Sequence, residues 1–295
     1  MKKVLHVYLP PGRHWVGDGF PVHGVFSYER FPENRSPFLL LDYAAPFEFE
    51  PNSGYRRGVS AHPHRGFETV TIVYDGEVEH RDSTGAGGVI GPGDVQWMTA
   101  GGGILHEEFH SEAYSRSGGL FHMVQLWVNL PAKDKMTAPA YQGIANASIP
   151  AVALPDDAGT VRVIAGEYGG QRGPAHTFTP MQVWDVQVKG GKTVSLPQPE
   201  GWTTMILAQT GAIHVNGSDA ATEARLITLS REGSDVRIEA KDDARLLLLT
   251  GEPINEPIFG YGPLVMNNQA EIKQAFDDYA AGKFGQMPSK EEALA

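Results

Sequence analysis

Hydrophobic and polar residues alternate along most of the chain with the period of two that is typical of β-strands. The clearest strand pattern is Glu68–Asp75, and further short strands are predicted at Val78–His80 and Val95–Met98. The same rhythm resumes in the segment from Val161 to Leu249. Short strands separated by Gly and Pro turns are typical of antiparallel sandwiches and barrels, so the pattern predicts an all-β fold.

One segment near the end of the sequence has the 3.6-residue period of a helix instead. Asn268 is a suitable N-cap, Glu271 lies three residues later, and Gly282 is a suitable end. We therefore predict a short C-terminal packing helix whose apolar stripe comprises Ile272, Ala275, Phe276 and Tyr279.

The strand pattern lapses between Pro131 and Gly159, where prolines recur. A chain of 295 residues also fits two domains at about 150 residues each. We therefore predict a first domain over residues 1–135, a linker over 136–160, and a second domain over 161–295 that includes the helix.

The two predicted domains resemble each other in sequence. The segment His64–Thr69 aligns with Pro199–Thr204, 135 residues later, and Gly93-Asp94-Val95 resembles Gly233–Val236. The chain is therefore interpreted as two copies of one small β-unit.

Composition narrows the chemistry that this fold can carry. The chain has 35 Gly and 21 Pro but no Cys, which excludes disulfides, thiolate nucleophiles, zinc fingers and iron–sulfur clusters. A formal net charge of −11 disfavours nucleic-acid binding. No apolar run reaches the length of a membrane span, and the first residues favour a strand over a signal peptide, so we expect a cytoplasmic protein.

Two short motifs predict a metal site. His62 and His64 share one face of a strand, as do His106 and Glu108, whereas Glu107 points to the opposite face. Neighbouring strands would then place three imidazoles and one carboxylate around a point. This donor set suits iron, with cobalt, nickel, manganese, copper and zinc as competitors. Four ligands leave an octahedral ion two open positions, for oxygen and a substrate.

The remaining histidines receive a structural interpretation. His110 shares the face of His106 and is an alternative ligand, but a packing role is favoured for it and for His80, His122 and His214. Glu68 is expected at most to lie beside the site, without binding the metal. In the second copy, the aligned positions are occupied by residues that bind no metal, so only the first copy is predicted to carry the site. These positions are Pro197, Pro199, Leu247 and Leu249.

The His-x-His pair, the Pro-Gly-Asp turn and the later His resemble the cupin superfamily. A closer resemblance, to the pirin family, extends over nearly the whole chain. It is carried by His14–Val22, Ser36–Tyr43, His62–Thr71, Gly91–Gly101, Gln125–Pro131 and Asn255–Met266.

The resemblance implies a bicupin, with two antiparallel, jelly-roll-like β-barrels stacked face to face and metal only in the first. It implies Fe(II) as the most suitable metal, and it carries the ligand role onto His62, His64, His106 and Glu108. Bacterial pirins are described as quercetin 2,3-dioxygenases, and eukaryotic ones as nuclear transcription coregulators. Glu107 departs from the family pattern, in which a small residue is common, so the choice of Glu108 depends on strand alternation.

The function expected from these features is a dioxygenase that opens a quercetin-like flavonol with O2. Glu108 is the candidate base for the substrate hydroxyl, and Phe67, Trp97 and Met98 are candidate walls for a small aromatic substrate. We expect a monomer. The alternatives are a regulatory protein that binds a protein partner and uses the metal as a redox switch, and a metal-dependent isomerase or hydrolase.

Overall fold

The computed structural model describes residues 1–29, 35–218 and 221–288. Strands dominate the described residues, and two short 3-10 helices lie at Asn146–Ser148 and Pro155–Asp157. The α-helices are α1 (Glu112–Ser117) and α2 (Gln269–Ala280). The strands before α2 are β1 (Val4–Tyr8), β2 (His14–Val16), β3 (Phe20–Ser27), β4 (Phe38–Phe49), β5 (Gly58–His64), β6 (Phe67–Asp75), β7 (Val78–Asp82), β8 (Gly87–Ile90), β9 (Val95–Thr99), β10 (Ile104–His110), β11 (Gly119–Asn129), β12 (Ala140–Ile144), β13 (Ala151–Ala153), β14 (Gly159–Ala165), β15 (Glu167–Tyr168), β16 (Gln171–Arg172), β17 (Met181–Val188), β18 (Thr193–Pro197), β19 (Thr203–Thr210), β20 (Ile213–Val215), β21 (Arg225–Leu229), β22 (Asp235–Ala240), β23 (Ala244–Gly251), β24 (Phe259–Tyr261) and β25 (Leu264–Met266).

The described residues form two compact units, each assembled from separate stretches of the chain. Unit 1 contains Met1–Gly12, residues 35–37 and Ala147–Pro253, and unit 2 contains residues 13–29, Phe38–Asn146 and residues 254–288. The strand β1 therefore belongs with β13–β23, and α2 belongs with β2–β12. The predicted domain boundaries at residues 135 and 161 remain a prediction.

Unit 2 is built from two main antiparallel sheets rather than one closed barrel, together with the two-stranded sheet β24-β25. The larger has the order β12-β9-β6-β11-β4-β3-β2 and the smaller the order β5-β10-β7-β8. The central strand β6 is buried on both faces, from Phe67 to Tyr74. The predicted all-β, antiparallel fold is confirmed, and the strand predicted at Glu68–Asp75 is β6.

Unit 1 repeats this plan. Its larger sheet has the order β1-β21-β19-β23-β17-β14-β13 and its smaller one β18-β22-β20. Apolar side chains from both sheets fill its interior, among them Leu196, Ile238 and Leu248. The two groups of described His and carboxylate side chains that are close enough to share a metal ion both lie in unit 2. The interior of unit 1 therefore stabilises the fold by apolar packing.

The sheet orders correct one part of the internal alignment. The strand that carries His106, β10, lies between β5 and β7, and its counterpart in unit 1 is β22, between β18 and β20. Leu247 and Leu249 lie in β23, which corresponds to β11. The predicted pairing of His106 and Glu108 with these leucines is therefore wrong. Glycine turns recur at similar positions in both units. An alignment that depends on these turns alone therefore matches β10 with the wrong strand of unit 1.

The C-terminal helix begins and ends near the predicted residues, but its buried face differs. The side chain of Asn268 accepts a hydrogen bond from the Glu271 amide, as expected of an N-cap. Phe276 and Tyr279, predicted to be buried, are 42% and 44% exposed. Asp278 is buried instead, because it forms an ion pair with Arg65 at 2.9 Å. A polar residue thus occupies the packing face, which apolar periodicity does not detect.

The region predicted as a linker, residues 136–160, contains β12 and β13, and each extends a large sheet at its edge.

No helix among the described residues is long and apolar enough to cross a membrane.

Lys135 joins three segments of unit 2 from a buried position. Its ammonium group donates to the Gly66 carbonyl at 2.8 Å, to Asn129 Oδ1 at 2.7 Å and to the Val265 carbonyl at 3.0 Å. Burial lowers the pKa of Lys135 to about 7, but three acceptors around three N–H groups favour the charged form. Lys135 thereby attaches β25 to the start of β6 and the end of β11.

We predict that Lys135→Met lowers the free energy of unfolding by about 2 to 4 kcal/mol, because it leaves three buried acceptors without a donor. Urea denaturation measures the difference. The matched control is Lys273→Met, which removes an exposed ion pair on α2 and should cost less than about 0.5 kcal/mol. Equal costs for the two variants would contradict the role of Lys135.

Candidate metal centre

The smaller sheet of unit 2 brings the predicted ligand strands together. β5 and β10 pair so that His62 lies opposite His106, and a bulge follows before Glu108 pairs with Val59. On its other side, β10 pairs with β7, which places Asp82 opposite His106 and His80 opposite Glu108. Pairs of residues two apart on adjacent strands thus converge on one face.

The three imidazoles form one cluster. Ring centroids lie 4.3 Å apart for His62 and His106, 4.7 Å for His64 and His106, and 4.8 Å for His62 and His64. His64 and His106 are buried, and His62 is half-buried. His62 is therefore the most exposed of the three residues.

The hydrogen bonds of the rings leave the same nitrogen available in each. His62 donates from Nδ1 to the Ser60 carbonyl at 2.9 Å, and His64 donates from Nδ1 to the Pro263 carbonyl at 3.3 Å. His106 Nδ1 lies 3.4 Å from His80 Nδ1, and its buried Nε2 has no hydrogen-bond partner. Carbonyl acceptors at Nδ1 leave lone pairs at Nε2, as in histidines that bind metals.

Burial keeps the inner histidines neutral. Loss of hydration, followed by the neighbouring rings, lowers the pKa of both His64 and His106 well below the usual range. A neutral imidazole is the form that binds a metal, because a proton and a metal ion compete for the same lone pair.

Glu108 faces the same region, and Glu107 does not. Glu108 Oε1 accepts from Thr71 Oγ1 at 3.3 Å and from Gln96 Nε2 at 3.2 Å. Its Oε2 accepts from Gln125 Nε2 at 2.8 Å. Glu107 instead forms an ion pair with Arg81. The alternation along β10 therefore separates the two carboxylates, as the sequence pattern predicts.

The donor atoms fit a divalent transition metal. One group that could hold an ion comprises His62, His64 and His106, and a second comprises His80, His106 and Glu108. His106 belongs to both. Neutral imidazoles with one carboxylate are the donors preferred by iron and its neighbours. The predicted set of three His and Glu108 draws on both groups.

Sequence reasoning assigned His80 a packing role, but the structure places it beside the candidate ligands. It is fully buried and lies 3.1 Å from Asp82 through its Nε2 atom. His80 and Asp82 are two residues apart on β7, so they share a face by the same rule that paired His62 with His64. The strand predicted to end at His80 continues to Asp82, and the shorter prediction hid this pair.

Two further residues near the site come from β11. Gln125 contacts Glu108, and the ring of Trp127 lies 5.3 Å from that of His64. The two residues alternate with the buried Leu126. This period-of-two pattern is the sequence signal that identifies them.

The three predicted pocket walls occupy different positions. Phe67 is fully buried, with its ring 5.1 Å from that of His64 and 4.3 Å from that of Trp127. Met98 is buried in a small cluster with Ala100 and Ile104. Trp97 lies on the opposite face of β9 from Met98, because neighbouring residues of a strand alternate. The pocket role of these residues remains a prediction.

His110 lies outside both metal groups. It donates from Nε2 to the Gly19 carbonyl at 2.9 Å, and its ring packs among Phe20, Phe49 and Phe121. His214 belongs to unit 1, where it contacts the Ser218 carbonyl. His122 lies 3.1 Å from the Tyr43 hydroxyl. These contacts are consistent with packing roles.

Glu68 is a buried carboxyl group that accepts a hydrogen bond from Thr99 Oγ1 at 2.8 Å. Burial raises the pKa of Glu68 to about 7. Between pH 4.5 and 7, the folded chain therefore retains a proton that the unfolded chain has released. Stability must fall as the pH rises through this interval.

We predict that Glu68→Gln removes this pH dependence. Relative to the original chain, the variant should gain about 2 kcal/mol between pH 5 and pH 8, because the amide carries no charge at either pH. Chemical denaturation at the two pH values measures the difference. A constant difference between the two proteins would show that Glu68 is ionised at both pH values.

Comparison with known proteins gives matches over nearly the whole chain. The family model described as Pirin matches residues 19–128, and the model described as Pirin C-terminal cupin domain matches residues 183–285.

Individual relatives agree with these matches. A Pseudomonas aeruginosa protein, provisionally named a quercetin 2,3-dioxygenase, is 57% identical over 96% of this chain and 99% of its own. A pirin-like protein of Caulobacter vibrioides is 42% identical over 84% of this chain and 87% of its own. The crystal structure of a quercetin 2,3-dioxygenase from Acinetobacter baumannii superposes with a TM-score of 0.94 at 53% identity, covering 97% of this chain and 99% of that one.

Proposed function

Because the chain belongs to the pirin family, we propose that it is a dioxygenase that opens quercetin-like flavonols with O2 at one Fe(II) ion. The observation that carries the proposal is the convergence of three imidazoles whose Nε2 atoms are free of hydrogen bonds to the protein, with Glu108 beside them. The names of the relatives from Pseudomonas and Acinetobacter support the same activity.

The proposed ligands are His62, His64, His106 and Glu108. A bound Fe(II) ion would act as a Lewis acid and would supply the redox chemistry that O2 requires. The same donors also bind the competing metals cobalt, nickel, manganese, copper and zinc. The protein holds the rings in place through the Ser60 and Pro263 carbonyls.

Glu108 is proposed to accept the proton of the flavonol hydroxyl. Thr71 and Gln96 both donate to Oε1, whereas Oε2 accepts one hydrogen bond, from Gln125. A carboxylate oxygen has two lone pairs, so Oε2 retains one for a proton or a ligand bond. The three donors also hold the carboxylate in one orientation, which proton transfer requires.

Aromatic side chains beside His64 favour a flat substrate. The rings of Phe67 and Trp127 are 4.3 Å apart with an interplanar angle of 31°. Trp127 is half-buried, and its ring lies 5.3 Å from that of His64. A planar flavonol could stack on this ring, as aromatic pairs prefer.

The test is oxygen consumption by protein reconstituted with Fe(II), measured with quercetin and with a flavone that lacks the 3-hydroxyl group. We expect oxygen uptake with quercetin and none with the flavone, because the latter has no proton for Glu108 to accept. No uptake with quercetin under any of the six divalent metals named above would overturn the proposal. Metal analysis of protein from its native host should give about one iron per chain.

A further inference from the structure

We propose that His80 and Asp82 determine which nitrogen of His106 carries hydrogen, and thereby make His106 Nε2 available as a metal ligand. His80 is a positioning residue in this scheme, since it acts through His106. The inference rests on the metal site of the proposed function.

The direction of the hydrogen bonds begins at Asp82, since a carboxylate can only accept. Its Oδ1 accepts from the Thr84 amide at 2.8 Å and from the Thr84 hydroxyl at 2.6 Å. Its Oδ2 lies 3.1 Å from His80 Nε2. His80 must therefore donate from Nε2, and in the neutral ring Nδ1 is then an acceptor.

A second carboxylate determines the orientation of Gln96. The Gln96 amide nitrogen donates to Glu108 Oε1 at 3.2 Å and lies 3.2 Å from His80 Nδ1. The Gln96 oxygen faces the Tyr141 hydroxyl at 3.5 Å. Gln96 thus presents hydrogen to His80 Nδ1, which again requires that atom to be an acceptor.

His106 Nδ1 lies 3.4 Å from His80 Nδ1. In this tautomer His80 Nδ1 has one lone pair, which faces both the Gln96 amide and His106 Nδ1, and it has no hydrogen to donate, so the contact is favourable when His106 carries its own hydrogen at Nδ1. The Nε2 atom of His106 then has a lone pair, in agreement with its lack of a hydrogen-bond partner. With its hydrogen on Nε2 instead, His106 would direct the lone pair of its Nδ1 atom at the lone pair of His80 Nδ1. That hydrogen would also occupy the nitrogen that is proposed to bind the metal.

His106 differs from its neighbours in this respect. The Nδ1 acceptors of His62 and His64 are backbone carbonyls, which cannot become donors. The acceptor of His106 is a ring with two tautomers, and Asp82 and the Gln96 amide both favour the one with a lone pair at Nδ1. His80 and Asp82 are both fully buried, and the His80 ring stacks on Tyr141 at 4.9 Å. Packing thus holds the ring in the orientation that the chain of hydrogen bonds requires.

The sharpest test is Asp82→Asn, which preserves the shape of the side chain. The two Thr84 donors hold the amide oxygen at the Oδ1 position, so the NH2 group faces His80 Nε2. His80 then carries hydrogen at Nδ1 once the Gln96 amide turns its oxygen towards that atom, and His106 carries its own hydrogen at Nε2. Nitrogen-15 NMR of the metal-free protein reports this directly, with the His106 signals assigned by their loss in His106→Gln. We expect hydrogen on Nδ1 in the original chain and on Nε2 in the variant.

The second measurement is calorimetric titration with Ni(II). Loss of an outer-shell partner of a metal-binding histidine lowers affinity by about 10- to 100-fold, and we expect a loss in this range for Asp82→Asn. The Ni(II) affinity of His80→Asn should stay within about threefold of that of the original chain, since the side-chain oxygen of Asn can replace Nδ1 as the acceptor. The control Asp94→Asn alters a carboxylate in a turn of the same unit and should change neither readout.

Hydrogen on Nε2 of His106 in the original chain, or on Nδ1 in Asp82→Asn, would overturn the inference. So would an affinity loss in His80→Asn as large as that in Asp82→Asn. If the original chain binds no metal, the proposed function fails, but the NMR measurement still decides the tautomer.

Discussion

Replacement of His106 by alanine is expected to lower metal affinity by more than about 100-fold and to abolish oxygen consumption with quercetin. Loss of a residue that forms a hydrogen bond to a ligand already lowers metal affinity by about 10- to 100-fold, and loss of the ligand itself lowers it further. His106 belongs to both groups of side chains that could hold an ion, so no rearrangement between the groups replaces it. Metal content after reconstitution and dialysis, measured by mass spectrometry, gives the affinity loss.

The matched control is His110→Ala. His110 lies on the same strand and the same face as His106, and it is equally buried, but it contacts Gly19 and an aromatic cluster. This variant should lose stability through the cavity that it creates, while each folded chain still binds one metal ion. Full metal binding by His106→Ala would show that the three imidazoles do not form the site.

Substitution of Glu108 by glutamine is expected to reduce kcat/KM for quercetin by about 100- to 10,000-fold, the usual contribution of a general base. Glutamine has nearly the shape of glutamate and retains an oxygen, but it cannot take the hydroxyl proton. Iron should still be present, because the three histidines remain. Steady-state oxygen uptake, normalised to iron content, separates the loss of the base from a loss of metal.

Glu107→Gln makes the same chemical change one residue away. Its side chain pairs with Arg81 and faces away from the histidines, so we expect kcat/KM to change by less than about twofold. If Glu108→Gln retains full activity, Glu108 is not the base. If Glu107→Gln loses activity instead, the assignment by strand alternation is wrong.

Much of the fold was predictable because its signals are local. Alternation predicted the all-β class and a strand at Glu68–Asp75, observed as Phe67–Asp75, since successive side chains of a strand point to opposite faces. The capping residue Asn268 and the terminal Gly282 marked the last helix for a similar reason. Turns, caps and period-two patterns depend on neighbouring residues, so one sequence suffices to read them.

The part of the candidate site that lies within single strands was predictable from the sequence. The shared faces of His62 with His64, and of His106 with Glu108, follow from spacing alone. Asp278 on the buried face of α2 was not predictable, because its burial depends on Arg65, more than two hundred residues away. The correspondence of β10 with β22 likewise required the order of strands in each sheet.

By itself, the sequence determined the donor chemistry of this protein. It contains no Cys, and its His-x-His and His-x-Glu pairs restrict a transition metal to imidazole and carboxylate ligands. Only the tertiary structure decided that β7 lies beside β10 and brings His80 and Asp82 against His106. The physical reason is that strand pairing joins distant segments by backbone hydrogen bonds, which are common to all residues. Which strands become neighbours is therefore decided by the packing of the whole unit.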